Sequence, residues 1–446
     1  MEESPKSSAL RSDYLKQSVI QEQIRRLEGA IDDAQEIIDY ETAHNPEILY
    51  ALDIVEDFIR KKKRVCYGGT AINAILPASL QFYDPEADLP DYDFFTPDPE
   101  EDVKLLVKQL QDAGFTEINQ RFGVHEGTFK ILVNYVPIAD CTHLDKTLYK
   151  IILERAIRKS GIYYCDPEFL KMMMYLELSR PRGEVERWTK VYERLLLLNH
   201  AFPMKPKCKE LPRAPDIDSE VRESLLGFLM ENKRIFLGAE IAALYSFSLR
   251  TKQFHPPRIQ WFLRNGGAVV FLSPQILQDS LSIRNLLGKE ITEVEVVKGV
   301  QDMIPDRVYI RHQKRLVAIL LEEKACHSFN TIDLHNQKKI LVASPDTLIT
   351  LYLMLHIFTK DEVRLGYSLE CLCQRLIEIS REMRKQRKPY FPSFSISCSG
   401  YQKGFSTLLR ERAARILRER KKKKSTRTKK KGGNRQTRRE LYRKGD

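Results

Sequence analysis

The sequence predicts an α+β chain built from two similar modules in tandem, each a mixed sheet flanked by helices. Three observations lead there. Helical and strand periodicities alternate along most of the 446 residues. A phrase at 64–76, RVCYGGTAINAIL, has an echo at 234–245, RIFLGAEIAALY. The helix and strand patterns that follow each phrase come in the same order. Length agrees, because about 150 residues per domain leaves room for about three modules and at least two cores. With 42% hydrophobic and 30% charged residues, the bulk should be globular. No apolar run approaches the roughly 18 residues of a membrane span. The first 17 residues lack the apolar centre of a secretory signal, so the expectation is an intracellular, reducing setting and no membrane. The eight cysteines include no C-x-x-C pair and read as reduced, mostly buried thiols rather than zinc ligands.

Residues 14–39 space their apolar positions three and four apart and predict an amphipathic helix. A second helix, about 46–62, ends in a basic run that suits a helix C-terminus. RVCY then reads as a short buried strand, GGT as a turn, and AINAIL as one or two helical turns stopped by Pro77. DYDFFT at 91–96 is a strand. The stretch 97–115 is a helix with Asp98 as N-cap and Pro99 at its first position, so Glu100, Glu101 and Asp102 are helix-start acids. Residues 128–144 read as one long strand, with Pro137 forcing an edge, bulge or break. Helices follow at 166–180 and 184–202, and the four prolines of 203–217 mark a linker.

From 218 the order repeats: helix 219–232, strand and glycine turn 234–240, strand 267–274 and helix 275–288. Strands then follow at 292–297, 307–312 and 315–329. SPDTLITLYLML at 344–355 matches DPEFLKMMMYLEL at 166–178, each a capped proline start to an apolar helix. Four matching elements at a period near 170 residues indicate a duplicated domain rather than a solenoid repeat. The expected divisions are a helical segment 1–45, a first module 46–202, the linker 203–217, a second module 218–385 and a C-terminal segment 386–446.

A glycine pair between strand and helix lets the backbone approach a ligand and turns helix N–H groups toward an anion. Gly68, Gly69 and Thr70 fit that arrangement, although most such pairs only make a turn. Alternate side chains share a strand face, so Asp91 and Asp93 are expected side by side. Either they are solvated on a half-exposed strand, or a cation neutralises two carboxylates set beside Phe94 and Phe95. A third acid, Asp140, ends the apolar run ILVNYVPIAD, an unusual place for a lone Asp. If that strand lies beside 91–96, three carboxylates converge near the glycines. Such a set suits two Mg2+ ions, with Mn2+ as a substitute, clamping the attacking and leaving oxygens of a phosphoryl displacement. Lys171 and Tyr175, four apart on one helix face, could reach a triphosphate and a base; equally they are a surface Lys and a core-edge Tyr. Arg187 and Lys190 could contact RNA phosphates or be solvated, and Trp188 reads as core.

G-G-T, then D-x-D, then a single Asp on a later strand resembles the polymerase-beta-like nucleotidyltransferase superfamily. KMMMYLELSRPRGEVERWTKVYERL at 171–195 resembles the helical segment of poly(A) polymerase catalytic subunits of large cytoplasmic DNA viruses, the poxvirus and giant-virus group. The likeness covers roughly 45–360. It implies two nucleotidyltransferase-like modules, the second degenerate, and template-independent addition of adenylate from ATP to an RNA 3′ end with release of pyrophosphate. It further implies that Asp91 and Asp93 hold both metals, that Asp140 holds the one activating the 3′-hydroxyl, and that Gly68, Gly69 and Thr70 bind the triphosphate. The implied partners are ATP, RNA, and either a separate processivity subunit or a second copy of the chain. The implied location is the virion or host cytoplasm. Rival readings are another nucleotidyltransferase, such as a uridylyltransferase, an oligoadenylate synthetase or a small-molecule nucleotidyltransferase, and a non-enzymatic RNA-binding protein.

The second module loses the acids. Setting DYDFFTP over AVVFLSP puts Ala268 opposite Asp91 and Val270 opposite Asp93; setting ADCTH over KACHS by the shared cysteine puts Ala325 opposite Asp140. GGT becomes Gly238, Ala239 and Glu240, and a glutamate there would repel a triphosphate. The second module should therefore be catalytically silent and serve as scaffold, RNA-binding face or dimer surface. Residues 410–446 hold 18 of the 73 Lys and Arg against 4 of the 61 Asp and Glu, so they carry all of the chain's +12 excess. This tail is expected to be disordered, with Lys421, Lys422, Lys423, Lys424, Lys429, Lys430 and Lys431 gripping RNA phosphates without reading bases. A nuclear or nucleolar address suits the same residues.

Overall fold

The computed structural model describes residues 16, 18–84, 88–123, 127–204, 208, 215–250, 263, 265–334, 338–359, 361–387 and 389–402, with isolated positions up to 418. Two compact units emerge, the first formed by residues up to 122 with 129–142 and 156–164, the second by 123–128, 143–155 and the chain from 165 onward.

In the first unit, α1 (Ser18–Ala43) is followed by α2 (Pro46–Lys62). Asn45 accepts from the N–H groups of Glu47 and Ile48, Pro46 opens the helix, and Lys63 ends it in a left-handed conformation. Then come β1 (Val65–Cys66), α3 (Gly68–Ile75), β2 (Tyr92–Thr96), α4 (Pro99–Asp112), β3 (Ile118–Phe122), β4 (Thr128–Val133), β5 (Val136–His143), β6 (Ile157–Lys159) and β7 (Ile162–Tyr164). The strands form one mixed sheet in the order β3-β4-β5-β2-β1-β7-β6, with β1 antiparallel to β2 and parallel to β7. Arg64 ties α4 to the sheet by a bidentate pair with Asp102, at 2.6 and 2.9 Å, and Thr96 Oγ1 donates to the same carboxylate. Asp102 is 1% exposed, and removing either partner of such a buried pair typically costs about 3–5 kcal/mol.

Three sequence expectations change here. GGT is not a turn but the first three residues of α3. Residues 128–144 are a hairpin: the break falls at Asn134 and Tyr135, both at positive φ, and not at Pro137, because a two-residue turn of that twist matches the twist of its strands. Asp98 takes the N-cap position without a capping side-chain bond; its N–H donates to Thr96 Oγ1 instead.

The second unit begins with α5 (Lys146–Arg155), α6 (Pro167–Leu178) and α7 (Trp188–Ala201). It continues with α8 (Ser219–Glu231), β8 (Ile235–Phe236), α9 (Glu240–Ser248), β9 (Val269–Ser273), α10 (Ile276–Leu287), β10 (Thr292–Val297), β11 (Arg307–His312) and β12 (Arg315–Glu322). After β13 (His327–Asp333) and β14 (Lys339–Ala343) come α11 (Pro345–Phe358), α12 (Asp361–Leu365), α13 (Leu369–Lys385) and β15 (Cys398–Ser399). Its sheet runs β10-β11-β12-β9-β8-β14-β13-β15, the first sheet's order with one added edge strand. The stretch 315–329 is therefore two strands rather than one. Asp166 and Ser344 cap α6 and α11, whose prolines sit at the first turn, and these two helices pack together with Phe169 edge-on to Phe358.

The duplication extends to single hydrogen bonds. Tyr67 N–H donates to Asp93 O at 2.9 Å, and Leu237 N–H to Val270 O at 2.7 Å. Arg234 grips Asp279 as Arg64 grips Asp102, with Ser273 in the role of Thr96. The hairpin turn Asn134–Tyr135 recurs as Gln313–Lys314, each with both φ values positive. Counted from that turn, the counterpart of Asp140 is Ile319, not Ala325. Cys326 lies beyond β12 at the entry to β13, so the shared cysteine was a false anchor. The expectation of reduced, buried thiols holds for Cys66, Cys141, Cys165 and Cys373 and changes for the other four, since Cys208 is paired with Cys371 and Cys326 with Cys398. Among the described residues no helix is long and apolar enough to cross a membrane.

Candidate active site

The first unit gathers Gly68, Gly69, Thr70, Asp91, Asp93 and Asp140 around the junction of β1, β2 and β5. Gly68 opens α3 at φ +75°, and a Cβ there would collide with Asp93 Oδ2. Only glycine allows both the backbone turn and the carboxylate's approach. Thr70 Oγ1 donates to the carbonyl of Asp91 at 2.8 Å, so the start of α3 is tied to the segment carrying the acids. That segment is less regular than strand alternation implies. β2 begins at Tyr92, and the Asp93 N–H turns back to Asp91 O at 3.1 Å. Between the acids, Tyr92 faces inward and its hydroxyl donates to Glu56. Tyr67 stacks on Phe95 and shares a hydrogen bond with Thr142, packing the floor of the site.

Asp140 is buried on β5. Its Oδ2 accepts from Lys130 Nζ of the neighbouring β4, whereas its Oδ1 is buried with no hydrogen-bond partner. Asp91 keeps access to solvent, yet the surrounding protein and then the Asp140 charge raise its carboxyl above the ordinary aspartate range, with Lys130 pulling the other way. Desolvation alone would lower Lys130, but Asp140, Asp91 and Asp93 together hold its amine above the usual lysine value. Asp91 and Asp140 repel each other, Lys130 offsets both, and one buried oxygen of Asp140 is left without a hydrogen bond, so this pair is a donor set that can take more positive charge. Hard divalent cations with oxygen ligands fit it. Among the described residues, no three His, Cys, Asp or Glu groups are already drawn together as a metal cage.

Lys171 and Tyr175 lie on α6 in the second unit. Lys171 is 1% exposed, donates to the carbonyl of Phe202, and has its amine pushed down to about 8 by burial. With Arg155, Asp166 and Glu168 it lines a cavity of about 380 Å³. Tyr175 is buried and its hydroxyl accepts from Asn199 at 3.3 Å. Arg187 is exposed and paired with Glu184 at 2.9 Å, and Lys190 is exposed on α7. Trp188 packs toward Phe394 and donates to Glu177 O. Lys421–Lys424 and Lys429–Lys431 lie outside the described residues.

In the second unit the corresponding place is filled from within. The Glu240 carboxylate folds over Gly238, where an added Cβ would meet its Oε2 at 2.5 Å. Arg222 of α8, with a fully buried side chain, donates to Glu240 and to the carbonyls of Leu263 and Gly267. The glutamate is thus neutralised by an internal arginine and blocks the space, rather than standing as a bare repelling charge. Sequence reasoning missed Arg222 and Lys130. Lys130 had a signal, a lysine in the apolar run TFKILV, as odd there as Asp140 is in its own strand.

Residues 53–184 match the family model described as poly(A) polymerase catalytic subunit. Curated relatives bearing that name include one from Acanthamoeba polyphaga mimivirus, 30% identical over 208 residues that make up 45% of this chain and 35% of the relative. Another, from African swine fever virus, is 28% identical over 168 residues, 36% of this chain and 35% of the relative. The chain therefore spans about a third of the length of the curated relatives it matches. The crystal structure of the Megavirus polyadenylate synthase superposes with a TM-score of 0.70 at 19% identity, covering 91% of this chain and 84% of that one. Residues 53–184 thus match the poly(A) polymerase catalytic subunit family, within a chain that has the fold of a giant-virus polyadenylate synthase.

Proposed function

We propose that the chain is a template-independent polynucleotide adenylyltransferase that extends RNA 3′ ends with adenylate from ATP. The observation that carries the reading is the first unit's charge-deficient carboxylate set beside Gly68, erased in the second unit. The family likeness supports adenylate as the unit added.

Gly68 and Gly69 let the triphosphate approach the backbone, and the N–H groups opening α3 face its oxygens. Thr70 keeps that helix start in register with Asp91. Two divalent cations, held by Asp91 and Asp93 jointly and one of them also by Asp140, would neutralise charge and activate the hydroxyl. The 3′-hydroxyl gives up its proton to water as its oxygen bonds to the α-phosphorus of ATP, the bond to the α,β-bridging oxygen breaks, and pyrophosphate leaves. Positioning and charge, not covalent participation by the protein, account for the rate. The second unit is catalytically silent, and the basic tail adds phosphate contacts that weaken with salt. Processivity comes from a second copy or a separate subunit, and the setting is the virion or infected cytoplasm.

A labelled RNA primer with Mg2+ and each of the four nucleoside triphosphates in turn tests the reading. It expects a ladder with ATP alone. Preference for UTP, 2′-5′ linked products without primer, or no extension at all would overturn it.

A further inference from the structure

We infer that Lys130 is the resident cation of the carboxylate site, a positioning residue that holds Asp140 by one oxygen until a divalent cation takes its place. The inference rests on the metal-site reading above. Lys130 lies on β4, and its ammonium is bonded to Asp140 Oδ2. The other oxygen, Oδ1, is buried with no hydrogen-bond partner, an acceptor left unused. The chain after Lys130 is apolar and buried at Ile131, Leu132 and Val133, so packing alone gives no reason for a lysine.

The second unit supplies an internal control. The β3–β4 ladder pairs Ile118 with Val133 and Arg121 with Lys130; the β10–β11 ladder pairs Thr292 with His312 and Glu295 with Tyr309. Both units place the turn directly after, so Tyr309 is the counterpart of Lys130. Tyr309 is buried, donates to Asp361 and lies under Arg364 at 4.2 Å. Four charged positions thus change together, Asp91, Asp93, Asp140 and Lys130 becoming Ala268, Val270, Ile319 and Tyr309. A lysine kept only for sheet geometry would have no reason to disappear with the acids. One that serves them would.

The consequence is competition. In the metal-free protein Lys130 relieves repulsion among the acids; against an incoming cation it opposes binding through its own charge. The test uses the full chain and Mn2+ alone, titrated by electron paramagnetic resonance, with thermal melts taken with and without Mn2+. Lys130→Gln is expected to bind Mn2+ about tenfold more tightly, to melt lower without metal, and to gain a larger Mn2+-dependent Tm shift. Lys130→Arg, which retains the charge, should stay near the wild type in all three. Unchanged Mn2+ affinity in Lys130→Gln, or an equal loss of Tm with and without Mn2+, makes the lysine merely structural and overturns the inference. Failure of the underlying reading is separable: wild-type Mn2+ binding would then be absent, or indifferent to Asp91→Asn.

Discussion

Over Gly68 the carboxylate comes from the neighbouring strand, from Asp93; over Gly238 it comes from the start of the helix that follows, from Glu240. The two places differ most in where the balancing charge originates. The second unit supplies it internally through Arg222, whose counterpart on α2 is the buried Leu52, each lying seven residues, about two turns, before the Ile59 and Leu229 carbonyls that receive the Arg64 and Arg234 N–H groups. In the first unit the partly exposed Lys130 engages one oxygen of Asp140 and leaves the other buried without a hydrogen bond, an acceptor open to a cation from outside. One fold thus holds a closed and an open version of the same electrostatic problem. The closed version gains stability, and the open one gains a binding site.

The largest expected difference is in rate. Asp91→Asn or Asp93→Asn should lower primer extension by about 10³-fold, the loss of several kcal/mol of charge stabilisation. Ala268→Asn, at the matching place in the second unit, should leave the rate unchanged. Single-turnover extension with ATP measures both, and equal losses in the two units would end the distinction between an open and a closed site.

Next comes stability in the second unit. Arg222→Leu strands Glu240 in a buried position and should cost about 3–5 kcal/mol in a denaturant melt. Adding Glu240→Thr, which installs the first unit's Leu52 and Thr70 pair, should restore most of that loss, because an apolar replacement of a buried ion pair is often tolerated. A double variant as unstable as the single one would show that the guanidinium serves its carbonyl partners and not the glutamate.

Much of this contrast is legible in the sequence. The repeat, the loss of Asp91 and Asp93 in the second copy, and the apolar helices with capped proline starts all follow from local periodicity and residue type. What stayed hidden depends on long-range pairing. The strands β6 and β7 are three residues each, too short for a period to register. Asp140 was matched to Ala325 because a shared cysteine is visible in one dimension, whereas the hairpin turn that sets the register needs φ. Arg222 reads as an ordinary helix-surface arginine until tertiary packing buries it. Lys130 could have been found by the reasoning that found Asp140.

The comparison also runs the other way at Glu323, a second-unit carboxyl with one buried oxygen unpartnered and the other accepting from Ser399 at 3.3 Å. Burial, eased by Ser399 and Arg234, raises it to about 7. An acid raised by folding stabilises the protein below its ordinary value near 4.5, and that contribution is lost as pH climbs to about 7. Glu323→Gln should therefore match the wild type near pH 4 and exceed it at pH 8, by up to about 3 kcal/mol. Parallel Tm curves across that range would remove Glu323 as a charge that folding opposes.

The smallest effect is the sharpest test of what the open site costs. Asp91 is raised by its surroundings and by Asp140, so the metal-free first unit loses stability as pH rises through that raised value. Asp91→Asn removes the repulsion and should raise the chelator-treated melting point, by less than a buried pair would, because Asp91 is exposed and screened by water. Adding Mn2+ should reverse the order, because the wild type gains binding free energy that the variant has given up. Ala268→Asn should show neither shift, since the nearby Glu240 carboxylate is already bonded to Arg222. If Asp91→Asn melts below the wild type even with chelator, the carboxylates are not under electrostatic strain. The first unit would then be as self-sufficient as the second.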